Sequence, residues 1–194
     1  MFGEEPTHAS PPRLAAVLVL AYPVAGVPHV VFTKRSETVA NHQGQISLPG
    51  GAVDPGDASL EATALRETEE ELGVEPAHVY VLGRLDDVYV YVSNFLIAPF
   101  VGALEYQPRF RPQTSEVAQV IDVPLDRLRD PSILLEDDWL LRGQSRRVQF
   151  YQHGPHQIWG ATQRVIAEFL DSPYPEILAS RFAVGPNPLP TEAG

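Results

Sequence analysis

The sequence predicts one layered α/β domain in which strands outnumber helices. Apolar stretches rich in β-branched residues recur along the chain and are separated by turn residues, which is typical of buried strands. Two segments with helical character lie far apart, at 58–73 and 162–171. This spacing favours an α+β or mixed α/β layered domain over a doubly wound fold, in which strands and helices alternate regularly.

The strands of the predicted sheet follow from short apolar stretches. The first two, at 14–22 and 29–35, are joined by the turn "PVAGVP", and a short third strand lies in "QISLPGG" at 45–51. Further strands are predicted at 78–85, 88–104, 115–125 and 146–153.

The clearest helix is predicted over 58–73, where good helix formers fill "ASLEATALRETEEELG". Asp57 is a candidate N-cap, and Gly73 can adopt the left-handed conformation that ends a helix. A short helical segment follows at 125–130, and a closing helix is predicted at 162–171.

The composition is that of an ordinary globular protein, with 44% apolar and 20% charged residues among 194. The length predicts a single domain, which we place at 13–171 between a flexible N-terminal tail at 1–12 and a Pro-rich C-terminal tail at 172–194. The N-terminal segment lacks the basic region of a signal peptide, and no apolar stretch is long enough to span a membrane.

The charge and the lack of cysteine exclude several function classes. A formal net charge of −11 argues against nucleic acid and anionic membranes as partners. Without cysteine there are no disulfides, thiolate nucleophiles or Cys-ligated zinc, which fits a cytoplasmic location. The sequence leaves a homodimer open.

Four glutamates occupy five consecutive positions within "RETEEELG" at 66–73. Residues three and four positions apart share one helix face, so the carboxylates of Glu67, Glu70 and Glu71 converge, whereas Glu69 lies on another side. Such oxygen ligands suit Mg²⁺, which is often shared with substrate phosphates. The alternative from the glutamates alone is a solvated acidic face.

The segment "GGAVDPGDASLEATALRETEEELGV" at 50–74 resembles the Nudix box. That box has a Gly, five residues, a Glu, seven residues and then Arg-Glu-apolar-any-Glu-Glu-any-Gly-apolar. The matching positions are Gly51, Arg66, Glu67, Glu70, Glu71, Gly73 and Val74. Asp57 stands in place of the first Glu, eight residues separate it from Arg66, and Thr68 replaces an apolar residue.

The resemblance implies a Nudix-type α/β/α sandwich, with a mixed sheet between helices, and hydrolysis of a diphosphate with Mg²⁺ or Mn²⁺. A backbone carbonyl of the 50–51 turn would complete the metal site. Arg66 would orient a carboxylate through a charge-assisted hydrogen bond, and Asp57 would support the loop before the helix. The residues implied to hold the metal are Glu67, Glu70 and Glu71.

A second segment, "TKRSETVANHQGQISLPGG" at 33–51, resembles the signature that precedes the box in coenzyme A pyrophosphatases. Ala40 stands where that signature has its second Arg, and Leu48 replaces a Phe. The implied substrate is coenzyme A, a small-molecule diphosphate cleaved to 3′,5′-ADP and 4′-phosphopantetheine. The matching positions are Thr33, Arg35, Ser36, Gly44, Pro49, Gly50 and Gly51.

Four of these residues are candidates for substrate binding: Arg35, Ser36, Gly50 and Gly51. A guanidinium fork matches phosphate oxygens, although an arginine that ends a strand with its head in water is an equal alternative. The general base is either Glu70, on the helix face, or Glu116, in the loop before a predicted strand. A further acidic cluster at 136–138 is interpreted as a solvated loop.

Two alternatives to a coenzyme A pyrophosphatase stay open. The first is a Nudix pyrophosphatase for another substrate, such as ADP-ribose, a dinucleotide or a nucleoside triphosphate. The second is a Nudix fold that binds a ligand without catalysis, which the loss of helix carboxylates would have favoured. The upstream signature favours coenzyme A, and all three carboxylates are present.

Overall fold

The computed structural model of the protein describes residues 10–36 and 45–183. The α-helices are α1 (Leu60–Leu72), α2 (Leu125–Arg129), α3 (Gly160–Asp171) and α4 (Tyr174–Phe182). The strands are β1 (Arg13–Val24), β2 (Val27–Arg35), β3 (Ile46–Ser47), β4 (Gly50–Ala52), β5 (Tyr80–Arg84), β6 (Val88–Val90), β7 (Phe95–Ala103), β8 (Val117–Pro124), β9 (Leu134–Leu141), β10 (Gln144–His153) and β11 (His156–Trp159). No helix within the described residues is long and apolar enough to cross a membrane.

Eight strands form one mixed sheet around β1. The central order is β3-β2-β1-β7-β5, and β4, β6 and β8 pair with β1, β7 and β2 respectively. The pairing of β1 with β7 is parallel, from Arg13 opposite Phe95 to Ala21 opposite Ala103, and the other pairs of this sheet are antiparallel. The predicted mixed sheet is therefore confirmed.

Helices cover both faces of this sheet, because β1 alternates its buried side chains between two apolar cores. Leu18 of β1 packs in one core with Leu72 of α1. Val19 packs in the other core with Phe169 of α3 and Leu178 of α4. The arrangement is an α/β/α sandwich, as predicted, and it places α1 on one face of the sheet, against β1 and its partner β4.

The start of α1 differs from the prediction, and its end agrees with it. Ser59, rather than Asp57, is the N-cap, and its side chain accepts a hydrogen bond from the Ala62 backbone amide at 3.1 Å. Gly73 adopts φ 69°, and its N–H donates to the Glu69 carbonyl at 2.7 Å. Asp57 does not cap the helix, because its carboxylate instead binds the side chain of Arg66.

A second sheet, with the order β11-β10-β9, lies beside the α3 core. The interpretation of 136–138 as a loop is wrong, since these residues belong to β9. They are nevertheless exposed, and Arg147 on the neighbouring strand pairs with Glu136 at 3.1 Å and with Asp138 at 3.6 Å. The positive charge of Arg147 on β10 offsets part of the repulsion within this acidic strand.

The folded domain extends beyond its predicted end at residue 171. Residues 174–182 form α4, and its Leu178 and Phe182 are buried in the core shared with α3. The prediction of a tail from residue 172 is therefore wrong for 172–183. Pro175 lies in the first turn of α4, where a helix needs no N–H donor, so the Pro-rich sequence is compatible with a helix.

Replacing Leu178 with Ala tests this extension. Leu178 is 0% exposed and Ile177 is 43% exposed, so the matched pair compares a buried and a solvated position on one helix. We expect Leu178→Ala to lower the free energy of unfolding by about 2–4 kcal/mol and Ile177→Ala by less than about 1 kcal/mol, measured by urea denaturation. If residues 172–183 were a loosely docked tail, both variants would unfold like the wild type.

Candidate functional site

The glycines of β4 let the acidic face of α1 approach the sheet closely. A Cβ on Gly51 would lie 2.5 Å from the Glu67 carboxylate, so only glycine leaves that space. Gly50 has φ +148° and lies against β1, where a Cβ would come within 2.3 Å of the Ala16 carbonyl oxygen. The two glycines therefore bring backbone, rather than side chains, to the carboxylates.

Arg66 engages every one of its side-chain nitrogens at this face. Its Nε donates to Asp57 Oδ1 at 2.8 Å, and its Nη2 donates to Asp57 Oδ2 at 3.0 Å and to the Ala52 carbonyl at 3.2 Å. Its Nη1 contacts Glu67 Oε1 at 3.0 Å and Glu70 Oε2 at 3.2 Å. One guanidinium thus ties the loop before α1 and the strand β4 to two of the three carboxylates.

The Arg66–Asp57 pair stays charged. Hydrogen bonds from Arg66, and then from the Asp54 backbone amide, hold the pKa of Asp57 far below its usual range. Asp57 in turn raises the pKa of the Arg66 guanidinium. The pair forms a bidentate, nearly buried contact, the geometry in which arginine binds a carboxylate most strongly.

Glu71 is the buried member of the carboxylate set, with 4% of its surface exposed. Its pKa is raised to about 8, chiefly by burial, with the charge of Arg35 acting to lower it and the charges of Glu67 and Glu116 acting to raise it. A backbone hydrogen bond from Gly50 reaches this carboxylate. Its Oε2, however, has no hydrogen-bond partner among the described residues.

Burial also raises the pKa of Glu67, against the opposing effect of Arg66. Glu70 is half exposed. Within residues 10–36 and 45–183 no three acidic or histidine side chains are placed as a preformed metal cage. The Nη1 of Arg66 contacts both Glu67 and Glu70 and so holds these two carboxylates near one another.

The donor set nevertheless fits a hard divalent cation. Glu71 presents a buried carboxylate oxygen that lacks a partner among the described residues, which is costly unless a cation or donor meets it. Glu67 lies close enough to raise its pKa electrostatically, and the glycine backbone leaves room beside both. Carboxylate and carbonyl oxygens are the ligands that Mg²⁺ and Mn²⁺ prefer.

The loop before β8 brings Glu116 to the same face. The Gln113 amide donates to the Glu71 carbonyl at 3.1 Å, and the Glu116 amide donates to the Gln113 carbonyl at 2.9 Å. The Ser36 amide then donates to the Glu116 carbonyl at 2.8 Å, so the loop joins the end of α1 to the end of β2. The Glu116 side chain is exposed, and its charge raises the pKa of both Glu67 and Glu71.

Arg35 and Ser36 lie at the end of β2, on the site side of the sheet. The charge of Arg35 acts on Glu71, and its Nε is buried without a hydrogen-bond partner in the part of the chain that the structure describes. Ser36 is buried and linked to the Glu116 loop. Two positions of the upstream signature, Ala40 and Gly44, lie outside the described residues.

The ten site residues predicted from the sequence lie on α1 or on segments beside it, with Asp57 near its start and Glu116 near its end, and two contacts made by backbone atoms were not predicted. The Ala52 carbonyl holds Arg66, and the Gln113 amide holds the loop of Glu116 against α1. Backbone contacts carry no residue signature, so no sequence pattern could have identified them.

Comparison with known proteins places this chain in a family. The model of the NUDIX domain matches residues 12–142, and the chain belongs to the Nudix family. An uncharacterized Nudix hydrolase named NudL from Photorhabdus laumondii is 40% identical over 139 residues, covering 72% of this chain and 74% of that protein. Human mitochondrial coenzyme A diphosphatase NUDT8 is 37% identical over 161 residues, covering 81% of this chain and 68% of that protein.

Solved structures confirm the fold. A Nudix hydrolase from Alicyclobacillus acidocaldarius matches with a TM-score of 0.56 at 18% identity, covering 92% of this chain and 100% of that one. A MutT/nudix family protein from Enterococcus faecalis matches with a TM-score of 0.57 at 17% identity, covering 86% of this chain and 64% of that one. The protein is a Nudix hydrolase, and Nudix hydrolases generally use divalent metal ions.

The pKa of Glu71 predicts how stability depends on pH when metal is chelated. Its folded-state pKa of about 8 lies above the usual carboxyl value, so the stability present at pH 4 is lost as pH rises through 8. We expect Glu71→Gln to remove this loss, and thus to exceed the wild type at pH 8 by on the order of 3 kcal/mol. Denaturant unfolding between pH 5 and pH 8, in chelator, measures it.

Glu70→Gln is the matched control, because Glu70 is on the same helix and 53% of its side chain is exposed. Its stability should follow the wild-type pH dependence. Parallel curves for Glu71→Gln and the wild type would show that Glu71 does not carry the buried charge assigned to it.

Proposed function

We propose that the protein is a divalent-metal-dependent pyrophosphatase that hydrolyses coenzyme A to 3′,5′-ADP and 4′-phosphopantetheine. The proposal rests on the proximity of residues from two sequence motifs that are separate in the sequence. Arg35, from the segment that resembles coenzyme A pyrophosphatases, acts electrostatically on Glu71, from the Nudix box. The similarity to NUDT8, named a coenzyme A diphosphatase, supports the same substrate.

In this proposal Glu67, Glu70 and Glu71 hold Mg²⁺ or Mn²⁺ together with a backbone carbonyl of the Gly50–Gly51 turn. The bound cation would supply charge neutralisation at the diphosphate and increase the acidity of the attacking water. Glu71 brings the oxygen that lacks a partner within the described residues, and burial at 4% exposure keeps this ligand away from bulk water.

The remaining residues bind and orient. Arg66, fixed by Asp57, positions Glu67 and Glu70 through its Nη1. Arg35 and Ser36 would bind the phosphates at the end of β2. Gly50 and Gly51 would offer their backbone to the substrate, because Gly50 has no side chain that would strike β1 and Gly51 has none that would displace the Glu67 carboxylate.

The proton of the attacking water needs an acceptor within hydrogen-bond reach. Glu116 suits this role because its side chain is exposed at the site while hydrogen bonds of its backbone hold the loop in place. Glu70 is the second candidate, since half of its side chain is exposed and its Oε2 contacts Arg66. Only one of the two is needed as the base.

A substrate panel tests the proposal. Purified protein is incubated with coenzyme A, ADP-ribose, NADH and a nucleoside triphosphate, each with Mg²⁺, with Mn²⁺ or with chelator, and products are separated by chromatography. We expect metal-dependent release of 3′,5′-ADP from coenzyme A. Glu67→Gln should lower kcat/KM by at least about 100-fold, the upper end of the effect of residues that only support a metal ligand.

Glu69→Gln is the control for that variant, because it removes the same charge from the exposed side of α1 and should keep wild-type activity. Turnover of another diphosphate in place of coenzyme A would support metal-dependent hydrolysis and refute coenzyme A as the substrate. Metal binding without turnover of any of the four would favour a ligand-binding module.

Arg35 provides a separate prediction about the substrate. Removing its charge in Arg35→Met should raise KM for coenzyme A about tenfold, the effect of losing one charge-assisted contact, with a smaller change in kcat. Lys34→Met is the matched control, since Lys34 acts on His156 of β11 rather than on Glu71. Equal KM values in the two variants would mean that Arg35 does not bind the substrate and is simply the last residue of its strand.

The cytoplasmic location stays a prediction from the sequence, and a homodimer stays open.

A further inference from the structure

Thr63 of α1 makes a contact that the motif resemblance does not include. The residue is fully buried, and its Oγ1 donates a hydrogen bond to Asp57 Oδ2 at 2.8 Å. It also lies 3.3 Å from the Ser59 carbonyl. Capping of the helix is already accomplished by the Ser59 side chain at the Ala62 amide, so the Thr63 hydroxyl is not required for that purpose.

We propose that Thr63 is a positioning residue for the carboxylates of α1, a role that rests on the proposed function. Its hydroxyl holds Asp57, Asp57 holds Arg66, and the Nη1 of Arg66 contacts Glu67 and Glu70. Each link is a hydrogen bond or ion pair of 2.8–3.2 Å. This series of contacts begins at the buried side of α1, passes through the loop before it and ends at the carboxylates on the surface of α1.

The position of Asp57 depends on three donors that reach its Oδ2. The Asp54 amide lies at 2.9 Å, Thr63 Oγ1 at 2.8 Å and Arg66 Nη2 at 3.0 Å. Asp54 belongs to the same short loop as Asp57, so it cannot hold that loop to the helix. Among the described residues that donate to this carboxylate, Thr63 and Arg66 are therefore the two that hold it to α1.

Without the hydroxyl, the Asp57 carboxylate keeps the Asp54 amide and Arg66 as partners, and Arg66 keeps the Ala52 carbonyl. The pair then loses its contact with the interior of α1 and can shift relative to the helix. Such a shift would move Nη1 away from Glu67 and Glu70 and leave two like charges to repel each other. The carboxylates would then spend less time in the arrangement that binds a cation, although none of them has been altered.

Two substitutions at Thr63 and one at Thr68 test the role. Thr63→Val keeps the shape and removes the hydroxyl, whereas Thr63→Ser keeps the hydroxyl. Thr68→Val is the matched control, because Thr68 is also fully buried in α1 and its hydroxyl donates to the Ala64 carbonyl of the same helix, at 2.7 Å, rather than to Asp57. All three are made in the full chain.

The first readout is the Arg66 Nε–H resonance of metal-free protein by NMR, assigned from its loss in Arg66→Lys. The second is Mn²⁺ binding, followed from the electron paramagnetic resonance of free Mn²⁺. In Thr63→Val we expect faster solvent exchange of the Arg66 signal and about tenfold weaker Mn²⁺ binding, within the range for residues that orient a ligand. Thr63→Ser and Thr68→Val should match the wild type in both.

Wild-type behaviour of Thr63→Val in both readouts would overturn the proposal, as would equal weakening in Thr68→Val. If Thr63→Val fails to fold, wild-type behaviour of Thr63→Ala with the same readouts would overturn it. If the wild-type protein binds no Mn²⁺, the proposed function itself is refuted. The Arg66 signal is measured without metal, so it still shows whether Thr63 positions Arg66.

Discussion

The contact between Arg66 and four surrounding acceptors is the interaction on which the site depends. Glu67 and Glu70 would repel one another on the helix face, and the Nη1 of Arg66 lies between them. The opposite side of the same guanidinium is held by Asp57 and by the Ala52 carbonyl. A planar group with five fixed donors can bind a loop, a strand and a helix at once, which a lysine could not.

Glu71 lowers the stability of the folded protein at the site where we propose that metal binds. A carboxylate with 4% exposure is destabilising when charged, and its Oε2 lacks a partner among the residues described. The sandwich tolerates this because Leu72, the next residue, packs fully in the core beneath α1. A ligand that binds only the charged form would return the lost stability, so ligand binding and folding are linked at this residue.

Much of this architecture was accessible from the sequence. The helix α1 was predictable because strong helix formers end at Gly73, which adopts φ 69°. The strand β9 was not, because Glu136 suggested a solvated loop, and the sequence does not show that Arg147 of β10 pairs diagonally with it. Nor was α4, whose Pro175 suggests a tail although it lies in the first turn. The carboxylates followed from helical spacing, whereas the contact of Gln113 with α1 uses backbone atoms that no residue pattern reveals.

The loop that carries Glu116 is fixed at both of its ends, and this has a consequence for the cost of binding. Gln113 attaches it to the end of α1, and the Ser36 amide attaches it to the end of β2. A functional loop that is free in solution loses conformational entropy when it closes on a substrate. Here that entropy has already been lost during folding, so more of the contact energy with a small ligand remains available as affinity.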